Sequence, residues 1–205
     1  QERKDRVVRK NLMGTESLLK KNKVTTVKGE GTLIARDRIR VRDAGGVETE
    51  VAASAIILAT GSSVGSLPMA TVDGRTVLSS DDILGLDRVP ESLLVIGAGA
   101  VGVEFASIYH TFGSKVILLE REPRLIPLED AEISDALLRS FTRQGMEVHV
   151  GASLRSVRVE GDRAWSEYES EGRPTRVQTE RVLMAAGRIP RTRGIGLEEA
   201  GVALT

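Results

Sequence analysis

Apolar positions recur at helical spacing near the start of the chain, and the period then changes. Val7, Val8, Leu12, Leu18 and Leu19 share a face among Lys and Arg, which predicts a helix over 5–22 with Gly14 as its weak point. Short strand-like runs follow at Val24–Lys28, Thr32–Ala35, Arg38–Arg42 and Val47–Val51, separated by turn signals such as Asp43-Ala44-Gly45-Gly46. They predict a small antiparallel meander layered on another sheet. Ala55-Ile56-Ile57-Leu58-Ala59 is continuously apolar and predicts a strand buried on both faces. Residues 65–85 read as loop with a short helical turn at 80–84. Val89-Pro90-Glu91-Ser92 reads as a domain boundary.

From Leu93 the rhythm is strand (93–96), helix (100–112), strand (115–119), helix (132–144), strand (147–150). Such alternation predicts a parallel, doubly wound α/β sheet. Two or three shorter strands are expected within 153–179. Arg181–Ala185 is a further buried-type strand, and it ends in Ala186-Gly187-Arg188.

Composition narrows the chemistry. At 205 residues the chain has room for one large domain or two small ones. Its 29 basic residues balance 29 acidic ones, so no global field exists to hold nucleic acid or an anionic membrane. No apolar run approaches the ~20 residues of a membrane span. The charged start, Gln1 to Asp5, lacks the apolar core of a signal peptide, so a cytoplasmic protein is expected. Cysteine is absent, which removes disulfides, thiolate metal sites and thiol nucleophiles from this chain. His110 and His149 are the two histidines, too few for a histidine-rich metal site. Both read as structural residues, and no metal site is expected. Trp165 and Tyr168 read as packing residues. The basic runs around Arg3-Lys4 and Lys20-Lys21 read as solvated helix faces. Glu129, Asp130 and Glu132 read as an acidic helix start favoured by the macrodipole.

Leu93-Leu94-Val95-Ile96 runs into Gly97-Ala98-Gly99-Ala100-Val101-Gly102, and Val103-Glu104-Phe105-Ala106 opens the next helix. Each glycine has a separate task in a dinucleotide-binding turn. Gly97 permits the tight exit from the strand, Gly99 lets a pyrophosphate approach the main chain, and Gly102 lets helix and strand pack closely. The phosphate then meets free N–H groups at the positive helix end. Lys115 to Glu120 supplies the second strand with an acidic end. Glu120 stands at the spacing expected of a carboxylate that accepts hydrogen bonds from ribose hydroxyls. A carboxylate there repels a 2′-phosphate and favours NAD over NADP, although the neighbouring Arg121 could touch a phosphate.

Further phrases extend the picture over nearly the whole chain: Val27-Lys28-Gly29-Glu30-Gly31, Ile57 to Ser62, Val95 to Glu104, Leu125-Ile126-Pro127 with Asp130, Ala186-Gly187-Arg188-Ile189-Pro190, and Gly196 to Val202. With them the chain resembles the flavin-dependent pyridine nucleotide–disulfide oxidoreductases, and within them the middle of the dihydrolipoamide dehydrogenases. The resemblance implies a Rossmann-like NAD-binding domain at 86–186, inserted in a partial FAD-binding domain at 1–85 that carries the antiparallel meander. Residues 187–205 would return into the latter. By family position Gly97, Ala98, Gly99, Ala100, Val101, Gly102, Val103, Glu104, Glu120, Leu154 and Gly187 would contact NAD. Gly31, Thr60, Gly61 and Ser62 would contact FAD. Glu104 would also approach the flavin and pair with a lysine of the family's N-terminal segment.

The resemblance also implies a parent reaction, in which electrons pass from dihydrolipoyl groups through a redox disulfide and FAD to NAD. Its partners would be the lipoyl domains of 2-oxo acid dehydrogenase complexes and a homodimer mate. The family's first GxGxxG, its CxxxxC and its His–Glu pair have no counterpart in these residues. No catalytic residue is therefore assigned, and the chain alone is expected to be inactive, to hold FAD poorly and to self-associate through its exposed strand at 55–59. Arg191 departs from the family, where Asn usually follows the Pro. Mercuric reductase, transhydrogenase and glutathione reductase are related alternatives, Glu120 speaking against the last. A non-catalytic dinucleotide-binding module is the alternative outside the enzymes.

Overall fold

The computed structural model describes residues 1–65 and 67–204. Two units emerge, one built from 1–62 with 190–205 and one from 63–189.

In the first unit, α1 (Glu2–Lys21) runs unbroken through Gly14. Its apolar residues Val7, Val8, Leu12 and Leu18 are all exposed. β1 (Glu30–Ala35), β2 (Arg38–Arg42) and β3 (Glu48–Ala52) form the expected antiparallel meander as a sheet of their own. The return segment lies along it. Leu33 N–H donates to the Ile195 carbonyl at 2.8 Å, and Leu33, Leu197 and Ala200 form a small core with Ile39, Ile56 and Ile195. Gly196 comes so close that a Cβ would stand 1.9 Å from the Leu33 carbonyl oxygen.

Two expectations fail in this unit. Val24–Lys28 and Ala55–Ala59 are not strands, and Ile57 is 92% exposed. An apolar run becomes a buried strand when other strands bond to its edges and layers cover its faces. Among the described residues no strand pairs with either segment.

β4 (Ser62–Val64) falls at the boundary, and the second unit goes on with β5 (Val77–Leu78), α2 (Ser80–Ile83), β6 (Ser92–Ile96), α3 (Ala100–Thr111), β7 (Lys115–Leu119), α4 (Ala131–Arg143) and β8 (Glu147–His149). They are followed by β9 (Ser153–Glu160), β10 (Arg163–Ser170), β11 (Arg173–Thr179), β12 (Arg181–Met184) and β13 (Arg188–Pro190), the last pairing with β4. The central sheet has the order β5-β12-β6-β7-β8, and every pairing in it is parallel. Val77 and Leu78 join this sheet, because β5 adds to β12 at its edge.

Strand alternation divides the central sheet's side chains between two cores. Leu93, Val95, Val116, Leu118 and Leu183 pack toward α3 and α4 with Val103, Ala106, Tyr109 and Phe141. Leu94, Ile96, Ile117, Leu119, Val182 and Met184 pack on the other face with Ala164 and Tyr168. That second face is covered by the antiparallel sheet β11-β10-β9, where a doubly wound fold would place helices. The burial is nonetheless two-sided, which is why these strands read as continuous apolar runs.

Local devices position the helices. Ser79 and Asp82 form a reciprocal capping box that starts α2. The buried Tyr109 hydroxyl donates to the Ile83 carbonyl at 2.9 Å, tying α3 to α2. His110 Nε2 lies 2.9 Å from the carbonyl of Gln144, the C-cap of α4, so the imidazole serves a helix end. At the opposite end of the sheet from the glycine loop, the buried Glu180 meets Arg88 and accepts the Glu91 N–H at 2.7 Å.

Candidate functional site

A cavity of about 600 Å³ lies at the carboxyl ends of β6, β7 and β12, within the second unit. Parallel α/β sheets offer this place to ligands because loops diverge there and the next helix begins. Gly97 N–H bonds the Leu119 carbonyl and Ala185 N–H bonds the Ile96 carbonyl, both at 2.8 Å, so three strand ends are held together beneath the cavity.

The three glycines separate as their chemistry predicts. Gly97 has φ +98°, a conformation that L side chains rarely adopt, and a Cβ on it would stand 2.6 Å from the Ala185 carbonyl oxygen. Gly102 would bring a Cβ to 1.9 Å from the Gly97 oxygen, so helix and turn can touch only without a side chain. Nothing lies within 4 Å of where a Gly99 Cβ would be, and Gly99 and Ala100 face the cavity. Gly99 is also the N-cap of α3 and supplies no side-chain cap. The first-turn N–H groups of α3 therefore present an open, positive helix end to whatever fills the cavity.

Glu120 is buried to 8% exposure and lines the cavity. One carboxylate oxygen accepts Ala98 N–H at 2.6 Å, and the other accepts Glu122 N–H at 2.8 Å. An ionised carboxylate has about four acceptor positions, so these bonds orient the group and leave it capacity for a ligand's hydroxyls. The guanidinium of Arg121 is largely exposed and pairs with Glu122 at 3.1 Å.

Of the residues expected at a nucleotide, the cavity brings together Gly97, Gly99, Ala100, Glu120, Leu154 and Gly187. Ala98 stands behind them as the donor to Glu120. Val101, Gly102, Val103 and Glu104 are not among the lining residues: Gly102 and Val103 are buried on the packed side of α3, and Glu104 is exposed. Gly31, Thr60, Gly61 and Ser62 belong to the first unit. There Gly31 pairs with Val41, Thr60 Oγ1 donates to the Arg191 carbonyl at 2.8 Å, and Gly61 has φ +72°.

Sequence reasoning missed three lining segments. Leu67 and Met69 arrive because Val157 N–H bonds the Met69 carbonyl at 3.0 Å. Ala152, Ser153 and Arg155 arrive because Ala152 N–H bonds the Glu120 carbonyl at 2.8 Å. Ile126 to Glu129 form a loop over the glycine turn. Only the last left a trace, as the apolar Leu-Ile-Pro-Leu run among charged loop residues.

His149 and Tyr168 pack near this region without lining it. The ring centroids are 5.3 Å apart, and His149 Nε2 is 2.8 Å from Glu147 and 3.3 Å from the Tyr168 hydroxyl. Burial, with the Glu147 charge adding to it, raises the Tyr168 pKa above its ordinary value and keeps the phenol neutral. Trp165 lies under the Arg176 guanidinium at 4.2 Å, a surface stacking contact. Among the described residues no three His, Cys, Asp or Glu side chains gather as a metal set. No helix among them is long and apolar enough to cross a membrane.

A parallel sheet with a glycine turn, an open helix N-terminus and a buried carboxylate one strand away gives the chain a Rossmann-like α/β architecture. The chain belongs to the pyridine nucleotide-disulphide oxidoreductase family, whose model matches residues 2–205. It is 39% identical over 201 residues to the mitochondrial dihydrolipoyl dehydrogenase of Pisum sativum, covering 97% of this chain and 40% of that protein. It is 38% identical over 201 residues to the leghemoglobin reductase of Vigna unguiculata, covering 97% and 38%. The dihydrolipoyl dehydrogenase of Bacillus subtilis is 35% identical over 202 residues, covering 98% and 43%. Among solved structures, LpdA of Mycobacterium tuberculosis superposes with a TM-score of 0.78 at 32% identity, over 87% of this chain and 40% of that one. The HOCl-induced flavoprotein disulfide reductase RclA of Escherichia coli gives 0.80 at 28% identity, over 100% and 46%. The chain thus spans about 40% of the length of the curated relatives it matches. Family membership implies use of FAD and a pyridine nucleotide.

Proposed function

We propose that the cavity binds NAD(H), and that the chain is the NAD-binding central part of a flavin-dependent dihydrolipoyl dehydrogenase. Glu120 carries the reading. It directly follows β7, it is buried at the cavity wall, and two backbone N–H groups aim its oxygens. A carboxylate held this way accepts hydrogen bonds from the two hydroxyls of an adenosine ribose. It also repels the added charge of a 2′-phosphate, so NAD is preferred to NADP.

The cavity fits the rest of the cofactor. The open approach at Gly99 and the uncapped start of α3 suit a pyrophosphate. Leu154 and Gly187 supply an apolar wall and an unobstructed main chain elsewhere in the cavity. When bound, the nicotinamide ring supplies the acceptor for a hydride. The residues of this chain bind and orient the cofactor and exclude water around it. Gly31, Thr60, Gly61 and Ser62 are proposed as contacts to FAD in the whole protein. The whole protein would oxidise dihydrolipoyl groups on 2-oxo acid dehydrogenase complexes as a homodimer in the cytoplasm.

Fluorescence titration of the purified chain with NADH and NADPH tests the cofactor reading. Clearly tighter NADH binding is expected; equal or tighter NADPH binding sinks it.

A further inference from the structure

Residues 121–130 connect β7 to α4 across the mouth of the cavity, and they are held in an unusual way. Ile126 is β-branched and precedes Pro127, two reasons to adopt an extended backbone, yet its φ is +40°. The conformation is maintained by its surroundings. Ile126 N–H donates to the Ala98 carbonyl at 2.8 Å, Arg124 Nη2 donates to the Pro127 carbonyl at 2.8 Å, and Glu129 N–H donates to the Ile126 carbonyl at 2.9 Å. Leu125 anchors the strap in the core with no exposed surface. The outcome is Leu128, an apolar side chain 97% exposed at the rim of the cavity.

Backbone strain persists where the surrounding structure over-determines it, and it accompanies ligand clamps. An isolated exposed leucine needs no explanation. One projected by a strained, bonded strap onto a cavity rim is a different case. Its location identifies what it would cover. Ala98 bonds the Glu120 carboxylate through its N–H and the strap through its carbonyl, so the strap stands beside the carboxylate.

We propose that Leu128 is an apolar clamp that closes over the adenosine half of the bound dinucleotide, with the strap 124–129 as its rigid mount. This rests on the dinucleotide reading above. The adenine face is a flat apolar surface, and Leu128 removes its own exposed methyl groups from water by covering it. The clamp therefore discriminates by the base and ribose, while Gly99 and α3 take the pyrophosphate whatever is attached to it.

The test uses the full chain, NADH fluorescence titration and competition by ADP-ribose. Leu128→Ala is expected to weaken NADH and ADP-ribose by the same factor, roughly tenfold, as losing about two well-covered carbons would. Leu128→Met is expected to restore most of that loss. Because the side chain is exposed, the thermal midpoint of either variant should match the wild type. Unchanged NADH affinity in Leu128→Ala, with the wild type binding NADH, overturns the clamp and leaves the dinucleotide reading intact. A loss for NADH without a loss for ADP-ribose overturns the adenosine placement. Failure of the wild type to bind NADH overturns both.

Discussion

Replacing Gly102 by alanine adds one carbon to the site, and the structure makes it an expensive one. The new Cβ would stand 1.9 Å from the Gly97 carbonyl oxygen, 2.9 Å from the Gly97 carbonyl carbon and 3.4 Å from the Ala185 side chain. Ordinary carbon contacts lie at about 3.5–4.0 Å, so the first turn of α3 must retreat by roughly 1 Å or more. Gly97 has little freedom to yield instead, because its N–H is bonded to the Leu119 carbonyl at 2.8 Å and its Cβ side faces the Ala185 main chain, 2.6 Å from where a Cβ would stand. Alanine gains about 0.8–1 kcal/mol over glycine in a helix interior. Overpacking a tight site costs about 1–3 kcal/mol, and more where backbone must move. The clash wins, with a net destabilisation of about 2 kcal/mol. For a protein of this size that lowers the thermal midpoint by about 4–8 °C. Gly14→Ala is the control: that glycine is exposed in α1 with nothing within 4 Å of its Cβ position. The same substitution there should be neutral or stabilising, by up to about 1 kcal/mol. Circular dichroism melts of both variants read the outcome. A Gly102→Ala chain that melts at or above the wild type would refute the close-packing argument.

Glu120→Ala should weaken NADH markedly and NADPH little; an unchanged NADH titration would count against a ribose role. It should also cost about 1–3 kcal/mol of stability, since the buried Ala98 N–H and the half-buried Glu122 N–H lose their acceptor. Glu180 should make stability pH-dependent. Burial pushes its pKa up, but Arg88, the Glu91 N–H and Arg181 outweigh burial and hold it below the ordinary 4.5. A lowered folded pKa gives stability that is present above pH 4.5 and lost as pH falls through the folded value. Urea unfolding from neutral pH downward should show that loss, with a shallower slope for Glu180→Gln; identical slopes would clear Glu180 of the effect. Tyr109→Phe should cost about 1–2 kcal/mol, because the Ile83 carbonyl is left without its buried donor. A melt indistinguishable from wild type would show that water replaces the hydroxyl.

The central unit was legible because its physics is local and redundant. Leu93 to Ile96 and Lys115 to Leu119 are short apolar runs bounded by breakers, and two-sided burial needs no other pattern. Gly97, Gly99 and Gly102 stood out by spacing, and the structure has a positive φ at the first, open space at the second and close packing at the third. Ala55–Ala59 misled for a reason of the same kind. Apolar composition says that a strand is permitted, while pairing and cover decide whether it forms, and Ile57 has neither. Val77–Leu78 is too short for any period to register, yet it is a buried edge strand. The strap left its apolar phrase Leu125-Ile126-Pro127 in the sequence, but not its conformation. Ile before Pro reads as extended, and only the hydrogen bond to Ala98 reveals the positive φ that aims Leu128 at the cavity.

This stretch does not separate relatives that are named for different electron partners. A dihydrolipoyl dehydrogenase and a leghemoglobin reductase match it at 39% and 38% identity over the same 201 residues. Proteins named for different electron partners therefore share it almost equally. What this chain displays is geometry: an open approach at Gly99, an uncapped start of α3, and a carboxylate aimed by Ala98 and Glu122. On the proposed reading those features select the nucleotide and leave the second reactant open. On that reading, specificity for the cofactor and specificity for the electron partner would change independently, because a substitution at Glu120 or Leu128 would alter the first without touching groups that recognise the second.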